Sequence, residues 1–370
     1  MRLIEKVWFQ GHPAKWLMVP LLLPLSFIFA LVSFFRRLAY QVGLCKQVKM
    51  SVPVVVVGNI GIGGNGKTPV SLYLVEKLTE QGIKVGVVSR GYGSKAPYYP
   101  YQVSDESSAE QAGDEPLLIF QRSGVPVVIG ANRIQACQCL IEQGCELIIA
   151  DDGLQHYRLA RDYEFVVVDG KRLFGNGLLL PAGPLRETKR RIKRADCVIV
   201  NGMSSWQKQA GNLALPVLTM QLQAKYVINI KTGKRVEIDT FLAQNLASDK
   251  PINALAGIGD PKRFFNTLEQ LGFTLAMTKG FIDHQAFSAH DLQQFSSDIP
   301  LLMTEKDAVK CTDFAQEHYW YLPVDAVFAT NNDSAAMASE IANIAALASK
   351  PHELTTKAGR ANRTDSVNKN

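Results

Sequence analysis

The sequence lacks the cysteine patterns of metal sites and of disulfide scaffolds. Its six cysteines include no C-x-x-C pair and no spacing typical of zinc ligands. We therefore expect inert or buried thiols of a reducing compartment. The pair Cys137-x-Cys139 lies on a predicted helix beside apolar residues, which favours core packing over metal binding.

The chain also lacks a large excess of one charge. Forty Lys and Arg residues face 34 Asp and Glu residues, so the formal charge of +6 is modest and spread along the chain. This balance favours an anionic partner such as phosphate or acidic lipid, and we expect no nucleic-acid partner. With 370 residues the chain exceeds one typical domain, so we expect two domains with appendages.

Charge is absent altogether from residues 17–35. As a helix this stretch would rise about 28 Å, close to the thickness of a bilayer core. Aromatic residues precede it and basic residues follow it, as at a membrane interface. No small-residue cleavage site precedes Arg36, which disfavours a signal peptide. We predict a membrane anchor rather than a buried soluble helix. Whether the helix spans the bilayer or enters one leaflet stays open.

A glycine-rich stretch follows the four valines Val54–Val57, which read as a strand buried on both faces. The stretch matches G-x4-G-K-[ST] in full. Its backbone amides can cradle phosphates, Lys67 can pair with the β- and γ-phosphates, and the Thr68 hydroxyl can bind Mg²⁺. An ordinary turn is the alternative, but the strand before it and the helix after it favour binding of a nucleoside triphosphate. The predicted nucleotide-binding residues are Gly61, Ile62, Gly63, Gly64, Asn65, Gly66, Lys67 and Thr68.

Strands and helices alternate from Ser51 to about Asp196, which indicates parallel strands joined by crossover helices. The predicted fold is α/β: a P-loop NTPase-type parallel sheet with a second, smaller α/β domain and an N-terminal membrane helix. A hairpin signal at Thr232-Gly233 marks the change of pattern. We expect an anchor region over 1–50, a P-loop domain over 51–200, the smaller domain over 201–330, and a C-terminal helix with a disordered tail over 331–370.

Polar residues follow several predicted strands. Asp151 and Asp152 end an apolar strand, as Walker B carboxylates do, and at least one should bind Mg²⁺ directly or through water; an ordinary strand-end Asp is the alternative. Gln155 and His156 come next in the chain and could contact substrate. Arg90 follows another strand and could bind phosphate.

Two further residues could take part in proton transfer. Asp114, with Glu115 beside it, could be no more than a helix-start carboxylate, or it could be the general base for an acceptor hydroxyl. The residues alone favour neither interpretation of Asp114 over the other. His284 of the second domain could close over the cleft and pair with a carboxylate, although a lone His is more often structural.

An ordered set of motifs resembles the tetraacyldisaccharide 4′-kinases, the lipid A 4′-kinases of Gram-negative bacteria. The set comprises VGNIGIGGNGKTP, SRGYG, GDEP, the pair Asn132-Arg133, ADDGLQH, LLPAGPLRE, FIDHQAF and TEKDAVK, and the resemblance spans about Gly11 to Phe328. Any one of these motifs after the P-loop is weak, but their order is specific.

The resemblance implies an ATP- and Mg²⁺-dependent kinase of lipid A biosynthesis that phosphorylates the 4′-hydroxyl of a tetraacylated glucosamine disaccharide 1-phosphate. It implies Asp114 as base, supported by His284, with carboxylates Asp151, Asp152 and Glu115 on the metal side. The enzyme would sit at the bacterial inner membrane, in contact with its lipid, with the catalytic domain on the cytoplasmic face.

A rival function is a membrane-tethered nucleotide switch, a transport ATPase or a P-loop chaperone. A GTPase would need [NT]-K-x-D, which the TEKD run at 304–307 does not match because its Asp follows Lys directly. A switch hydrolyses nucleotide without an acceptor, whereas a kinase should be nearly idle until lipid is added. Acyl-chain preference, oligomeric state and the extent of domain closure stay open.

Overall fold

The computed structural model describes residues 3–202, 206, 213–246 and 251–349. The predicted tail after residue 350 lies outside these ranges. Within them the strands are β1 Val54–Gly58, β2 Val85–Ser89, β3 Tyr101–Gln102, β4 Val127–Ile129, β5 Leu147–Asp151, β6 Tyr163–Asp169, β7 Cys197–Asn201, β8 Val217–Gln223, β9 Tyr226–Asn229, β10 Arg235–Glu237, β11 Ile252–Ala256, β12 Leu275–Gly280, β13 Leu301–Thr304, β14 Tyr319–Leu322 and β15 Asp325–Phe328.

The helices complete the framework. Short 3₁₀ turns cover Lys189–Arg194 and Thr312–Phe314. The α-helices of the described residues are α1 Leu3–Gln10, α2 Lys15–Gln41, α3 Lys67–Glu80, α4 Ala109–Ala112, α5 Asp114–Ser123, α6 Arg133–Glu142, α7 Ile238–Leu246, α8 Pro261–Gln270, α9 Ala289–Leu292, α10 Glu305–Ala308 and α11 Asn331–Ala348.

The main sheet has nine strands in the order β15-β8-β7-β6-β1-β5-β2-β4-β3, with parallel pairing except at the two edges. Its central strands are buried along their whole length, because helices cover both faces. Strand β1 lies between β5 and β6, with Val57 opposite Asp151 and Gly58 opposite Val166. This order brings the glycine-rich loop after β1 beside the carboxylates at the end of β5, and it confirms the predicted α/β fold.

The second sheet has six strands in the order β10-β9-β14-β13-β11-β12. The predicted hairpin is confirmed by the antiparallel pairing of β9 with β10. Sheet membership runs from Tyr226 to Leu322, inside the predicted range 201–330, while β8 and β15 pair with each other in the main sheet. The domain boundaries proposed from the sequence stay a prediction.

Helix α2 contains the charge-free stretch and continues through Pro20 and Pro24. It is long and apolar enough to cross a membrane, and 6% of its most apolar window is buried. Its one buried residue, Ser26, accepts a hydrogen bond from the backbone N–H of Ala182 (2.8 Å) and donates one to the Leu179 carbonyl (3.0 Å). The helix is therefore fixed to the body of the protein at its middle, with most of its apolar surface exposed.

Candidate active site

The glycine-rich loop joins β1 to α3 and turns through two left-handed glycines, Gly63 (φ 105°) and Gly66 (φ 92°). A Cβ at Gly66 would come 2.6 Å from Asn201 Nδ2 and 2.8 Å from Met220 Cε. Asn201 also donates a hydrogen bond to the Asn65 carbonyl (3.2 Å). Strand β7 thus supports the loop from one side, and only glycine fits at position 66.

Lys67 begins α3 and faces Asp152, with Nζ 3.6 Å from Oδ1. Arg186 approaches the same carboxylate at 3.3 Å. Burial raises the pKa of Asp152, but the charges of Lys67 and Arg186 outweigh that effect and hold the pKa below its ordinary value. Asp152 has φ 49°, a strained conformation for a non-glycine residue, as is common at functional sites.

Asp151 is the other strand-end carboxylate and has no exposed surface. Its Oδ1 accepts a hydrogen bond from Ser71 Oγ (2.8 Å), while its buried Oδ2 has no hydrogen-bond partner in the described part of the chain. Burial, aided by the charge of Glu115, raises the pKa of Asp151 to about 7. An unpartnered buried oxygen beside a phosphate-type loop suits a cation.

Asp114 and His284 come from different sheets and meet in the cleft. Asp114 is the first residue of α5, and His284 follows β12 with φ 63°. Asp114 Oδ2 lies 3.2 Å from His284 Nδ1, and the Tyr92 ring packs beside the imidazole with centroids 5.4 Å apart. Burial raises the pKa of Asp114, but the hydrogen bond to His284 and the charges of Lys310 and Lys306 bring it below its ordinary value.

Lys306 of α10 lies in the site, although it was not among the residues predicted from the sequence. Its Nζ lies 3.1 Å from both Glu115 Oε1 and Asp283 Oδ1, and 3.3 Å from His284 Nε2. Burial lowers the pKa of Lys306, but Glu115 and Asp283 outweigh it and raise the pKa above its ordinary value. In the sequence, Lys306 belongs to the TEKDAVK motif, which by itself indicates no role for the lysine.

The predicted substrate residues Arg90, Gln155 and His156 all line the same cleft, whose volume is about 1690 Å³. Gln155 Nε2 donates to the Asn59 carbonyl (2.9 Å) and to Glu187 Oε1 (3.0 Å). His156 Nε2 is buried without a hydrogen-bond partner among the described residues, and burial lowers the pKa of His156 to about 4. These three side chains therefore share one cavity with the glycine-rich loop.

Helix α2 forms part of the wall of this cleft. Phe29, Ser33 and Arg36 line it together with the loop residues and with Asp114 and His284. The same cavity therefore connects a phosphate-type cradle, a carboxylate–imidazole pair and the apolar helix. A substrate with both a polar head and an apolar part would find surfaces for each.

The predicted metal ligands do not form one compact cluster. Within the described ranges, no three carboxylate, histidine or cysteine groups are placed to hold a metal ion on their own. Glu115 is paired with Lys306, while Asp151 and Asp152 lie at the loop. A cation here would need ligands from substrate or water as well.

Comparison with known proteins agrees with this site. The family described as tetraacyldisaccharide-1-P 4′-kinase matches residues 18–343. A tetraacyldisaccharide 4′-kinase of Colwellia psychrerythraea is 56% identical over 89% of this chain and 94% of that protein. The protein of the same name from Histophilus somni is 49% identical over 86% of this chain and 92% of that protein.

A solved structure is similar over nearly the same range. The crystal structure of LpxK from Aquifex aeolicus in complex with ATP has a TM-score of 0.71 and 28% identity, and the match covers 88% of this chain and 99% of that chain. Sequence, fold and site therefore agree, and the chain belongs to the tetraacyldisaccharide 4′-kinase family.

Proposed function

We propose that this chain transfers the γ-phosphate of ATP to the 4′-hydroxyl of a tetraacylated glucosamine disaccharide 1-phosphate. The observation that carries the proposal is one cleft lined by the glycine-rich loop, by the Asp114–His284 pair and by apolar helix α2. The family supports the reaction, and the ATP complex of the Aquifex relative supports the nucleotide. A switch or chaperone gives no reason for a carboxylate–imidazole pair in the cleft.

The phosphate end of the cleft is the glycine-rich loop. The amides of 61–66 and the start of α3 would bind the phosphate oxygens, and Lys67 would place its charge on the β- and γ-phosphates. Mg²⁺, when bound, would neutralise further phosphate charge. Thr68, Asp151 and Asp152 would hold it, with Glu115 as a further candidate. The unpartnered Oδ2 of Asp151 supports this assignment, and Mg²⁺ usually takes one or two carboxylates and keeps several waters.

Asp114 would accept the proton of the acceptor hydroxyl. As the sugar oxygen bonds to the γ-phosphorus, the bond from that phosphorus to the ADP oxygen breaks and the hydroxyl proton passes to Asp114. His284 holds Asp114 by one oxygen, Oδ2, so the other oxygen can face the substrate. Positioning and charge neutralisation account for most of the catalysis in this class of reaction.

We also propose that the enzyme acts at the cytoplasmic face of the bacterial inner membrane, in contact with membrane lipid. The exposed apolar surface of α2 supports membrane association. The need for ATP supports the cytoplasmic side. Arg90, Gln155, His156 and the neighbouring Arg186 and Glu187 would bind the polar head of the lipid.

The test supplies the full chain in detergent with Mg²⁺, γ-labelled ATP and a tetraacylated disaccharide 1-phosphate. We expect label in the lipid, a loss of at least about 100-fold in Asp114→Asn, and normal transfer in Asp105→Asn, which removes an exposed carboxylate of the preceding loop. Label released only as free phosphate, regardless of lipid, would contradict the proposal.

A further inference from the structure

Lys306 connects the proton-transfer pair to two further carboxylates. It lies on α10, its side chain is 16% exposed, and its ammonium group contacts Glu115, Asp283 and the Nε2 atom of His284. The proposed reaction uses Asp114 and His284 and leaves this lysine without a role. Its contact with the imidazole has a specific chemical consequence.

An ammonium group has three donors and no acceptor. At 3.3 Å, Lys306 Nζ can therefore interact favourably with His284 Nε2 only if Nε2 carries a lone pair and no proton. On the other side of the ring, Asp114 is a carboxylate and accepts hydrogen bonds, so Nδ1 at 3.2 Å must carry the proton. Both contacts are satisfied by one form of the ring, which is neutral and carries its proton on Nδ1. Asp283 Oδ1, 3.8 Å from Nε2, would favour a proton on Nε2, and the ammonium group of Lys306 opposes it.

We propose that Lys306 is a positioning residue that fixes His284 as the neutral Nδ1–H tautomer and so directs its hydrogen bond to Asp114. The inference rests on the proposed function, because it assigns a task to the Asp114–His284 pair. Glu115 and Asp283 hold the ammonium group from two sides, and they would keep it directed at Nε2.

This arrangement determines where the hydroxyl proton ends. A proton taken up by Asp114 cannot be passed through the imidazole, because release at Nε2 would place it against the ammonium group. Asp114 is then the final acceptor within the protein until product leaves. His284 orients the carboxylate and does not relay the proton.

The first test reads the tautomer directly. The full chain, labelled with ¹⁵N-histidine and held in detergent, contains six histidines, and His284→Gln identifies the signal of interest. We expect a protonated-type Nδ1 and an unprotonated-type Nε2. In Lys306→Met the Nε2 signal should move to the protonated type, because Asp283 would then be the charged group nearest to Nε2. Lys306→Arg should keep the wild-type pattern because it retains a donor.

The matched control is Lys279→Met, which removes an exposed lysine of β12. It should leave the His284 signal unchanged, and unchanged signals of His290 and His318 would show that Lys306→Met is folded. A protonated Nε2 in the wild type, or an unaltered His284 signal in Lys306→Met, would overturn the inference. Neither result depends on turnover, so the kinase assay tests the proposed function separately.

A kinetic measurement adds a second readout. Lys306→Met should lower kcat by roughly 10- to 100-fold, because a misdirected imidazole no longer orients the base, and should leave KM for ATP nearly unchanged. Lys306→Arg should recover most of the loss. A large rise in KM for ATP with unchanged kcat would show instead that the lysine serves nucleotide binding.

Discussion

Asp151 and Asp152 are neighbours in the chain, yet their carboxylates have opposite electrostatic surroundings. Asp151 is wholly buried and its pKa rises to about 7, whereas Lys67 and Arg186 hold the pKa of Asp152 below its ordinary value despite burial. Asp151 is the last residue of β5, and Asp152 follows it with a left-handed φ of 49°. Individual charges in this cleft are therefore set by the fold around them.

A substitution of Lys67 tests whether this single charge is needed for turnover. Lys67→Ala should lower turnover by about 1,000-fold without unfolding the chain, since it removes the cation proposed to bind the phosphates. Steady-state kinetics and thermal unfolding of the same sample measure both effects. Lys77→Ala is the control: it lies on the same helix and pairs with the exposed Glu80, so it should retain activity. Equal turnover in the two variants would remove Lys67 from the mechanism.

The imidazole of His156 should make the stability of the fold depend on pH. The pKa of this imidazole is about 4 in the folded chain because it is buried, against 6.5 for an exposed histidine. Between these values the unfolded chain binds a proton that the folded chain does not, so stability falls as pH decreases from about 6.5 to 4.

His156→Gln should flatten the dependence of the unfolding free energy on pH in that window. Denaturant unfolding in detergent at a series of pH values measures it. His290→Gln, which removes an exposed imidazole, should leave the wild-type slope. A slope unchanged by His156→Gln would show that other groups cause it.

At the level of elements, the glycine-rich loop depends on β7 behind it. Gly66→Ala would place a Cβ 2.6 Å from Asn201 Nδ2 at a positive φ, so we expect a loss of stability of about 1–3 kcal/mol and weaker ATP binding. Thermal unfolding without nucleotide isolates the first effect. Gly64→Ala is the control for stability alone, because a Cβ there meets no atom within 4 Å. Equal melting temperatures would contradict the steric argument.

The sequence predicted elements whose signals are local. The valine run of β1, the glycine-rich loop and the start of α3 are consecutive, and β5 with its two carboxylates shows the same strong pattern. Strand β12 gave no such signal, because all but its first residue are exposed. The edge pair β8 and β15 joins strands about a hundred residues apart, so its place in the main sheet could not be read from either segment.

The site residues also divide into those that a local sequence pattern predicts and those that it does not. The P-loop and the strand-end carboxylates followed from spacing, whereas the role of His284 depended on a family resemblance. The contact of Lys306 with Glu115 joins residues 191 positions apart. Such a contact depends on how the two sheets pack, and no local pattern encodes it.

At the scale of the whole molecule, two ion pairs connect the sheets on another wall of the cleft. Arg172 of the main-sheet side bonds Asp260 (2.9 Å), and Arg263 of α8 bonds the buried Asp169 (2.7 Å). Asp169 also accepts the backbone N–H of Arg172 (2.9 Å), so the two pairs form one network. Each of the two sheets' sides of the cleft therefore contributes one arginine and one carboxylate to the network.

A double-mutant cycle tests whether this network stabilises the assembled cleft. Arg172→Gln and Asp260→Asn should each lower the unfolding free energy, and the double variant should lose less than the sum, with a coupling of about 0.5–3 kcal/mol. The distant surface pair Lys95 and Glu110 is the control and should show coupling near zero, as fully exposed pairs usually do. Additive losses at Arg172 and Asp260 would show that the pair contributes nothing beyond its separate side chains.

The attachment of α2 to the body at Ser26, together with the hydrogen bond from Trp8 to the Pro181 carbonyl (3.2 Å), has a consequence for how substrate is found. A loosely tethered enzyme would sample every height above a bilayer, whereas a rigidly mounted helix in the proposed membrane would hold the cleft at one height. Lipids whose reacting group stands at that height would then meet the enzyme by diffusing in two dimensions. Turnover should then follow the mole fraction of substrate in the bilayer or micelle, and adding inert lipid at constant bulk substrate should slow it.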